Sequence, residues 1–226
     1  MAKTEETIRD MIRNLLPSNP DDAAVVLDDL DDLLMRYEAV IREITTKLEI
    51  LNDELSLRGY ENPIISIASR RKKTTNIFEK LKRQGDPISL QSIQENLNDV
   101  AGVRVICSFI DDIYDVASML ASQDDVTLIE VKDYIQNPKP NGYRSYHMII
   151  EVPIFFSNEK RPMRAEVQIR TVAMDFWASL EHRMKYKQDI ENADDIINEL
   201  KECADTIAET DKKMMEIRDK ITKIES

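Results

Sequence analysis

The stretch 21–57 constrains the fold most strongly, because its apolar residues recur at every third or fourth position. That spacing places them on one face of an α-helix and predicts a single long amphipathic helix. A second stretch, 190–224, has the same spacing, charged residues on its other faces and an interruption near Asp211. Such patterns are typical of coiled-coil-like packing, either within the chain or between subunits.

Between these two stretches, apolar and β-branched runs alternate with shorter helical patterns. The pattern predicts a mixed sheet flanked by helices, an α+β fold with a long helix towards each end. The length allows one large domain, so we assign residues 1–20 to an N-terminal segment and 21–226 to a single domain. Strands are expected at 63–69, 100–109, 126–131, 143–152 and 163–170, and helices at 75–83, 89–98, 111–122 and 171–187.

Composition argues against several classes of protein. No apolar run approaches the roughly 18 residues of a membrane span, and the amino terminus lacks the apolar core of a signal peptide. The only two cysteines, Cys107 and Cys203, imply no disulfide framework. These features predict a cytoplasmic protein with no membrane partner. The net charge of −12 argues against duplex nucleic acid as the main partner.

A cluster of basic residues stands out in this acidic chain. Residues 70–83 hold seven lysines and arginines against a single acid, Glu79. Concentrated positive charge suits a small polyanion better than a long one, and a solvated basic helix face is the alternative. Within the cluster, Lys80 and Arg83 lie one helical turn apart on the same face, with Arg70 upstream. Such a supply of cations is what a triphosphate donor with a metal needs.

The segment 138–147 combines a turn with cations, aromatic rings and a histidine. Its two prolines disfavour helix, and Asn141-Gly142 marks a tight turn before the strand expected at 143–152. Lys139 and Arg144 can hold phosphate oxygens, and Tyr143, at the edge of that strand, can stack on a base. A decorated surface hairpin is the alternative.

Two carboxylates stand apart from the many surface acids. Asp99 directly precedes the strand expected at 100–109, and Glu166 lies within the alternating run 164–170. An acidic pair on neighbouring strands can hold Mg²⁺ and leave its other positions to phosphate and water. The alternatives are a helix-to-strand cap for Asp99 and a surface ion pair for Glu166. The face of 164–170 that carries Glu166 also carries Arg164, Gln168 and Arg170, which is typical of a wet, charged cleft.

Four blocks, in this order along the chain, resemble the synthetase domain of RelA/SpoT proteins, in particular the stand-alone small alarmone synthetases. The blocks are 70–83, 99–104, 137–147 and 166–171, and the resemblance covers roughly residues 25–220. It implies a nucleotidyltransferase-like sheet and a bacterial enzyme of the stringent response. The implied reaction is Mg²⁺-dependent transfer of pyrophosphate from ATP to the ribose 3′-hydroxyl of GDP or GTP, which releases AMP and forms ppGpp or pppGpp.

The resemblance also implies roles by position. Arg70 and Arg104 are expected to sandwich adenine, while Lys80 and Arg83 bind the ATP phosphates. Arg104 follows Gly102 on the strand after Asp99, which is consistent with contact to a phosphate or a base. Asp99 is the expected Mg²⁺ ligand. Glu166 is the second acidic group, either as a metal ligand or as the base for the 3′-hydroxyl.

On the acceptor side, Tyr143 is expected to stack on guanine. Asp175 is a separate hypothesis, because a carboxylate can accept both the N1–H and the N2 amino hydrogens of guanine. Some members of the family carry asparagine at that position, and a first-turn helix acid is the alternative for Asp175. The residues expected to bind the rest of the acceptor, its phosphates above all, are Lys132, Lys139, His147 and Gln168.

Two other classes of function compete with this one. The first is a nucleotidyltransferase that uses another acceptor and releases pyrophosphate. The second is a non-catalytic nucleotide sensor or single-stranded RNA binder, which would gain nothing from paired acids. Hydrolase activity is not expected, because neither His147 nor His182 neighbours an aspartate. Stand-alone relatives form homotetramers through terminal helices, which suits the two apolar stripes, and regulation by a nucleotide or RNA stays open.

Overall fold

A five-stranded sheet with the order β1-β2-β5-β4-β3 forms the centre of the fold. The structure, a computed structural model, describes residues 19–57, 62–185 and 193–225. The strands in this part of the chain are β1 (Ile64–Arg71), β2 (Ala101–Cys107), β3 (Thr127–Asp133), β4 (Tyr146–Phe155) and β5 (Lys160–Thr171). The helices are α1 (Pro20–Leu57), α2 (Thr74–Gln84), α3 (Leu90–Asn96), α4 (Ile110–Ala121), α5 (Val172–Lys185) and α6 (Ala193–Glu225).

This architecture confirms the predicted α+β class with long helices towards both ends. Each predicted strand and helix is present to within a few residues, with one informative difference. The strand predicted at 143–152 begins only at Tyr146, so 143–145 belong to the preceding loop. Most of the predicted segment 1–20, and the start of the second long helix at Ile190, lie outside the described residues. The division into a segment and one domain stays a prediction.

Residue contacts group the chain into two compact units. Among the described residues, the first unit holds 19–44, 69–103 and 151–166, and the second holds 45–57, 62–68, 104–150, 167–185 and 193–225. In the first unit, α2 and α3 contact each other, and the buried side chains include Val40 of α1 and Phe78 of α2. In the second unit, α6 contacts α4 and α5. Among the helices that the structure describes, none combines the length and apolar character of a membrane span.

Hydrogen bonds along its length hold α6 in the second unit. The Trp177 indole donates to the Leu200 carbonyl at 2.9 Å. The Arg218 guanidinium donates to both carboxylate oxygens of Asp111, at 2.9 and 2.6 Å. Asp211, where the apolar stripe is interrupted, accepts a hydrogen bond from the Thr171 hydroxyl at 2.5 Å. At this interruption of the apolar stripe, Asp211 therefore links α6 to the end of β5.

Asp211 leads to a prediction about pH. Burial raises the pKa of its carboxyl, and the hydrogen bond from Thr171 offsets this only in part. The folded state therefore binds the proton more tightly than the unfolded state does, so stability falls as pH rises through the raised pKa. Asp211→Asn keeps an acceptor oxygen without the charge. We expect a higher Tm than the parent's at pH 8, and a difference that shrinks towards acid pH, in thermal melts across that range.

The control is Glu209→Gln, an amide substitution at an exposed position of the same helix. It is expected to leave Tm unchanged at both ends of the pH range. A lower Tm for Asp211→Asn than for the parent at pH 8 would contradict the prediction, because it would mean that the charge of Asp211 stabilises the helix.

Candidate functional site

The predicted donor residues other than Arg104 lie in the first unit. Arg70 is exposed near the end of β1, and its carbonyl oxygen lies 3.6 Å from where a Cβ on Gly102 would stand, so β1 and β2 approach closely there. Lys80 is half-buried and Arg83 exposed on α2. The basic cluster of the sequence is thus presented by the end of a strand and one short helix.

Asp99 lies between two lysines. The Lys72 ammonium donates to Oδ2 at 2.6 Å, and the Lys80 Nζ lies 2.8 Å from Oδ1. Burial by itself would raise the pKa of the Asp99 carboxyl, but the two ammonium groups outweigh it and hold that pKa below its usual value. The structure thereby brings two of the predicted site residues, Asp99 and Lys80, into contact. It adds Lys72, which sequence reasoning noted only as part of the basic run.

The residues around Asp99 fit a magnesium ion that arrives with nucleotide phosphates. Oδ1 of Asp99 is buried. It forms an ion pair with Lys80 but accepts no well-directed hydrogen bond. Within the described residues, no group of three or more His, Cys, Asp or Glu side chains could hold a metal. Mg²⁺ characteristically binds one or two carboxylates and completes its shell with water and substrate phosphate. A carboxylate oxygen of this kind suits that mode of binding.

Glu166 is half-buried on β5, between the fully buried Ala165 and Val167. The predicted alternation of β5 is therefore confirmed, with Arg164, Glu166 and Gln168 on the more accessible face. Arg164 contacts Glu151 of β4, with its Nε 3.4 Å from the carboxylate. The role of Glu166 as metal ligand or base stays a prediction.

The predicted acceptor residues lie in the second unit, where Tyr143, His147 and Lys139 form one cluster. The Tyr143 hydroxyl lies 2.9 Å from Nε2 of His147. The Lys139 ammonium lies 4.8 Å from the centre of the Tyr143 ring and 4.5 Å from that of Tyr134. A cation held against two aromatic rings, one of which is bonded to an imidazole, forms a surface that suits an anionic ligand with a flat base.

Arg170 connects three of the predicted acceptor residues. Its side chain is 5% exposed. Nη1 donates to Asp175 at 3.0 Å, and Nη2 donates to the Tyr143 hydroxyl at 2.6 Å and to Gln168 at 3.1 Å. Nε donates to the Ser145 hydroxyl at 3.2 Å. Sequence reasoning placed Arg170 on the charged face of β5 but did not include it in the site. The sequence signal that pointed to Arg170 is its place in the alternating run 164–170.

Arg104 and Lys132 lie in different surroundings from each other. Nη1 of Arg104 is 3.4 Å from Oδ1 of Asp175, so the structure places this arginine beside an acceptor residue. Its assignment to adenine stays a prediction. Lys132 is exposed on the edge strand β3, with its Nζ 3.1 Å from Glu130 on the same strand. The contacts described for Lys132 do not join it to the cluster around Tyr143.

Arg144 has a different role from the phosphate ligand that its neighbourhood suggests. Its Nη1 donates to the carbonyl oxygens of Gly142 and Ala204, and its Nη2 to Asp205. The guanidinium therefore fastens the loop to α6. Gly142 has a φ of 86°, and a Cβ built there would lie 2.5 Å from the Cβ of Ala204. These contacts explain why Tyr143 lies in a loop rather than in the predicted strand.

Comparison with known proteins gives consistent matches. A family described as the region found in RelA/SpoT proteins matches residues 69–191. The GTP pyrophosphokinase YwaC of Bacillus subtilis is 42% identical over 208 residues, which cover 92% of this chain and 99% of YwaC. The structure of small alarmone synthetase 2 from Bacillus subtilis has a TM-score of 0.77 at 43% identity, over 85% of this chain and 99% of that one. Small alarmone synthetase 1 from Bacillus subtilis, bound to its product pppGpp, has a TM-score of 0.78 at 32% identity, over 86% and 99% of the two chains.

Proposed function

The chain belongs to the RelA/SpoT family, and we propose that it is a GTP pyrophosphokinase that transfers the β- and γ-phosphates of ATP to the ribose 3′-hydroxyl of GDP or GTP. The products are AMP and ppGpp or pppGpp. The observation that carries the proposal is the Asp99 carboxylate between Lys72 and Lys80, in a chain 42% identical to a GTP pyrophosphokinase. Such a cluster suits a triphosphate and a metal.

On the donor side, cationic side chains bind the ATP phosphates, while carboxylates would hold the metal and accept the proton. Lys80 and Arg83 of α2 contact the ATP phosphates, and Asp99 with Glu166 would hold Mg²⁺. When bound, Mg²⁺ neutralises charge on the transferring phosphates. A bond forms between the 3′-oxygen and the β-phosphorus, the bond from the β-phosphorus to the oxygen bridging to the α-phosphate breaks, and AMP leaves with that oxygen. Glu166 is the base that we propose for the 3′-hydroxyl proton.

On the acceptor side, Tyr143 stacks on guanine and Asp175 accepts its N1–H and N2 hydrogens. The arrangement of Lys139 against the Tyr143 ring supports a place there for the acceptor's phosphates. The other residues that we propose for acceptor binding are Lys132, His147 and Gln168. Positioning and charge neutralisation supply most of the catalysis in phosphoryl transfer, so no covalent nucleophile is needed.

We also propose that the protein acts in the bacterial cytoplasm as a homotetramer. Four apolar side chains of the second half of α6 are 41% to 84% exposed in the single chain: Met214, Ile217, Ile221 and Ile224. Exposed apolar residues at this regular spacing support packing against another helix. This helix is one of the two expected to carry the contacts between subunits.

The test of the function is a product assay with γ-labelled ATP, Mg²⁺ and either GDP or GTP. We expect label to move onto the guanosine nucleotide while AMP forms in equal amount, and no transfer after chelation of the metal. Release of pyrophosphate with AMP joined to the acceptor would indicate a nucleotidyltransferase instead. ATP binding without transfer to either acceptor would favour a nucleotide sensor.

A further inference from the structure

Arg170 is a buried cation that donates hydrogen bonds to several of the proposed acceptor residues. Its guanidinium makes described hydrogen bonds to Ser145, Tyr143, Gln168 and Asp175 while its side chain is only 5% exposed. Burying a cation costs free energy unless it is paired and its donors are satisfied. Asp175 supplies the negative charge in this network. The Asp175 carboxylate and the buried guanidinium therefore depend on each other.

The shape of the guanidinium makes this dependence directional. Its donors lie in one plane in a fixed fork, so the partners of Nη1 and Nη2 cannot reorient independently. Nη1 fixes Oδ1 of Asp175, and Nη2 fixes the Tyr143 hydroxyl. A lysine at position 170 has a single nitrogen and cannot reach all these partners with the same geometry. The orientation of the carboxylate and that of the aromatic ring are consequently set by one side chain.

We propose that Arg170 is a positioning residue of the acceptor site, which holds the Asp175 carboxylate in the orientation that selects guanine over a base without a 2-amino group. This inference rests on the proposed function. Oδ1 is engaged by Arg170 and approached by Arg104 at 3.4 Å, so the carboxylate is restrained through that oxygen. A fixed carboxylate accepts N1–H and N2–H together, whereas hypoxanthine offers only N1–H. Preference for GDP over IDP is therefore the property that Arg170 controls.

The experiment is a double-mutant cycle of Arg170→Lys and Asp175→Ala, with KM measured for GDP, IDP and ATP. We expect Arg170→Lys to raise the KM for GDP about 10- to 100-fold, the range of a hydrogen bond to a charged group. The KM for ATP should stay within about twofold, and the preference for GDP over IDP should largely disappear. Because both residues act through one carboxylate, the double variant should resemble Asp175→Ala alone.

Three results would overturn the proposal: an unchanged GDP preference in Arg170→Lys, effects that simply multiply in the double variant, or an equal rise in the KM values for ATP and GDP. The matched control is Arg218→Lys, which alters a paired arginine bonded to Asp111 and Asp219. It is expected to change Tm without changing either KM. Thermal melts of all variants show which of them are folded.

If Arg170→Lys does not fold, Tyr143→Phe provides a second test of the proposal. It retains the ring but removes the hydroxyl that accepts from Nη2 of Arg170. We expect it to reduce the GDP preference in the same direction, and an undiminished preference would count against the proposal. Calorimetric binding of GDP and IDP does not require turnover. Absence of transfer by the unsubstituted protein would refute the proposed function, while the binding data would still decide the role of Arg170.

Discussion

Asp99→Asn is expected to lower the rate of pyrophosphate transfer by at least about 10²- to 10³-fold, the usual cost of losing one preorganised electrostatic group. The asparagine keeps the size of the side chain but loses the charge that pairs with Lys72 and Lys80 and that would hold Mg²⁺. Measured kcat with saturating ATP, Mg²⁺ and GDP checks this. A rate within tenfold of the parent's would show that Asp99 is not part of the catalytic centre.

The same substitution should also destabilise the fold. It leaves two partly buried ammonium groups without their anion, which we expect to cost about 1–3 kcal/mol in the free energy of unfolding. Because the pKa of Asp99 lies below its usual value, this stabilisation is present at neutral pH and lost only as pH falls through that lowered pKa. The rate loss should therefore be judged at a temperature where the variant is fully folded.

Asp125→Asn is the matched control. Asp125 also pairs with a lysine, because Nζ of Lys47 lies 2.9 and 2.7 Å from its two carboxylate oxygens. It is not one of the proposed site residues. It should lose a little stability and no activity. A comparable rate loss at Asp125 would mean that the effect at Asp99 reflects the general loss of a lysine-paired carboxylate.

Local periodicity explains which parts of the fold could be predicted from the sequence. The three- and four-residue steps of 21–57 depend only on helix geometry, and α1 forms over Pro20–Leu57. The two-residue alternation of 164–170 likewise placed Ala165, Val167 and Ile169 on the buried face of β5. In each case the pattern that predicts the element depends only on residues close together in the sequence.

The contacts that shape the site depend instead on partners distant in sequence. Lys72 and Asp99 are 27 residues apart, as are Tyr143 and Arg170, and Arg144 reaches Asp205 across 61 residues. No local pattern distinguishes Arg144, which fastens a loop, from an arginine that binds phosphate. Arg170 shows the same limit, because its position in the alternation gives its face but not its burial.

The turn at Gly142 predicts the second large effect. Gly142→Ala should lower the free energy of unfolding by several kcal/mol and raise the KM for the acceptor far more than the KM for ATP. Its φ of 86° costs an L-residue about 1–2 kcal/mol. In addition, the new Cβ would lie 2.5 Å from the Cβ of Ala204 and 3.3 Å from the Cα of Lys201, so the loop or α6 must move. Tyr143 follows directly and would move with the loop.

Gly85→Ala separates the two causes, and the comparison uses melts together with acceptor kinetics. Gly85 has a φ of 80°, but a Cβ there meets nothing within 4 Å. Its substitution should therefore show the backbone cost alone, with little change in the KM for GDP. Adding Ala204→Gly to Gly142→Ala removes the nearer contact and should restore part of the acceptor affinity. Equal effects of the two glycine substitutions, with no rescue by Ala204→Gly, would mean that close packing of the loop on α6 does not position Tyr143.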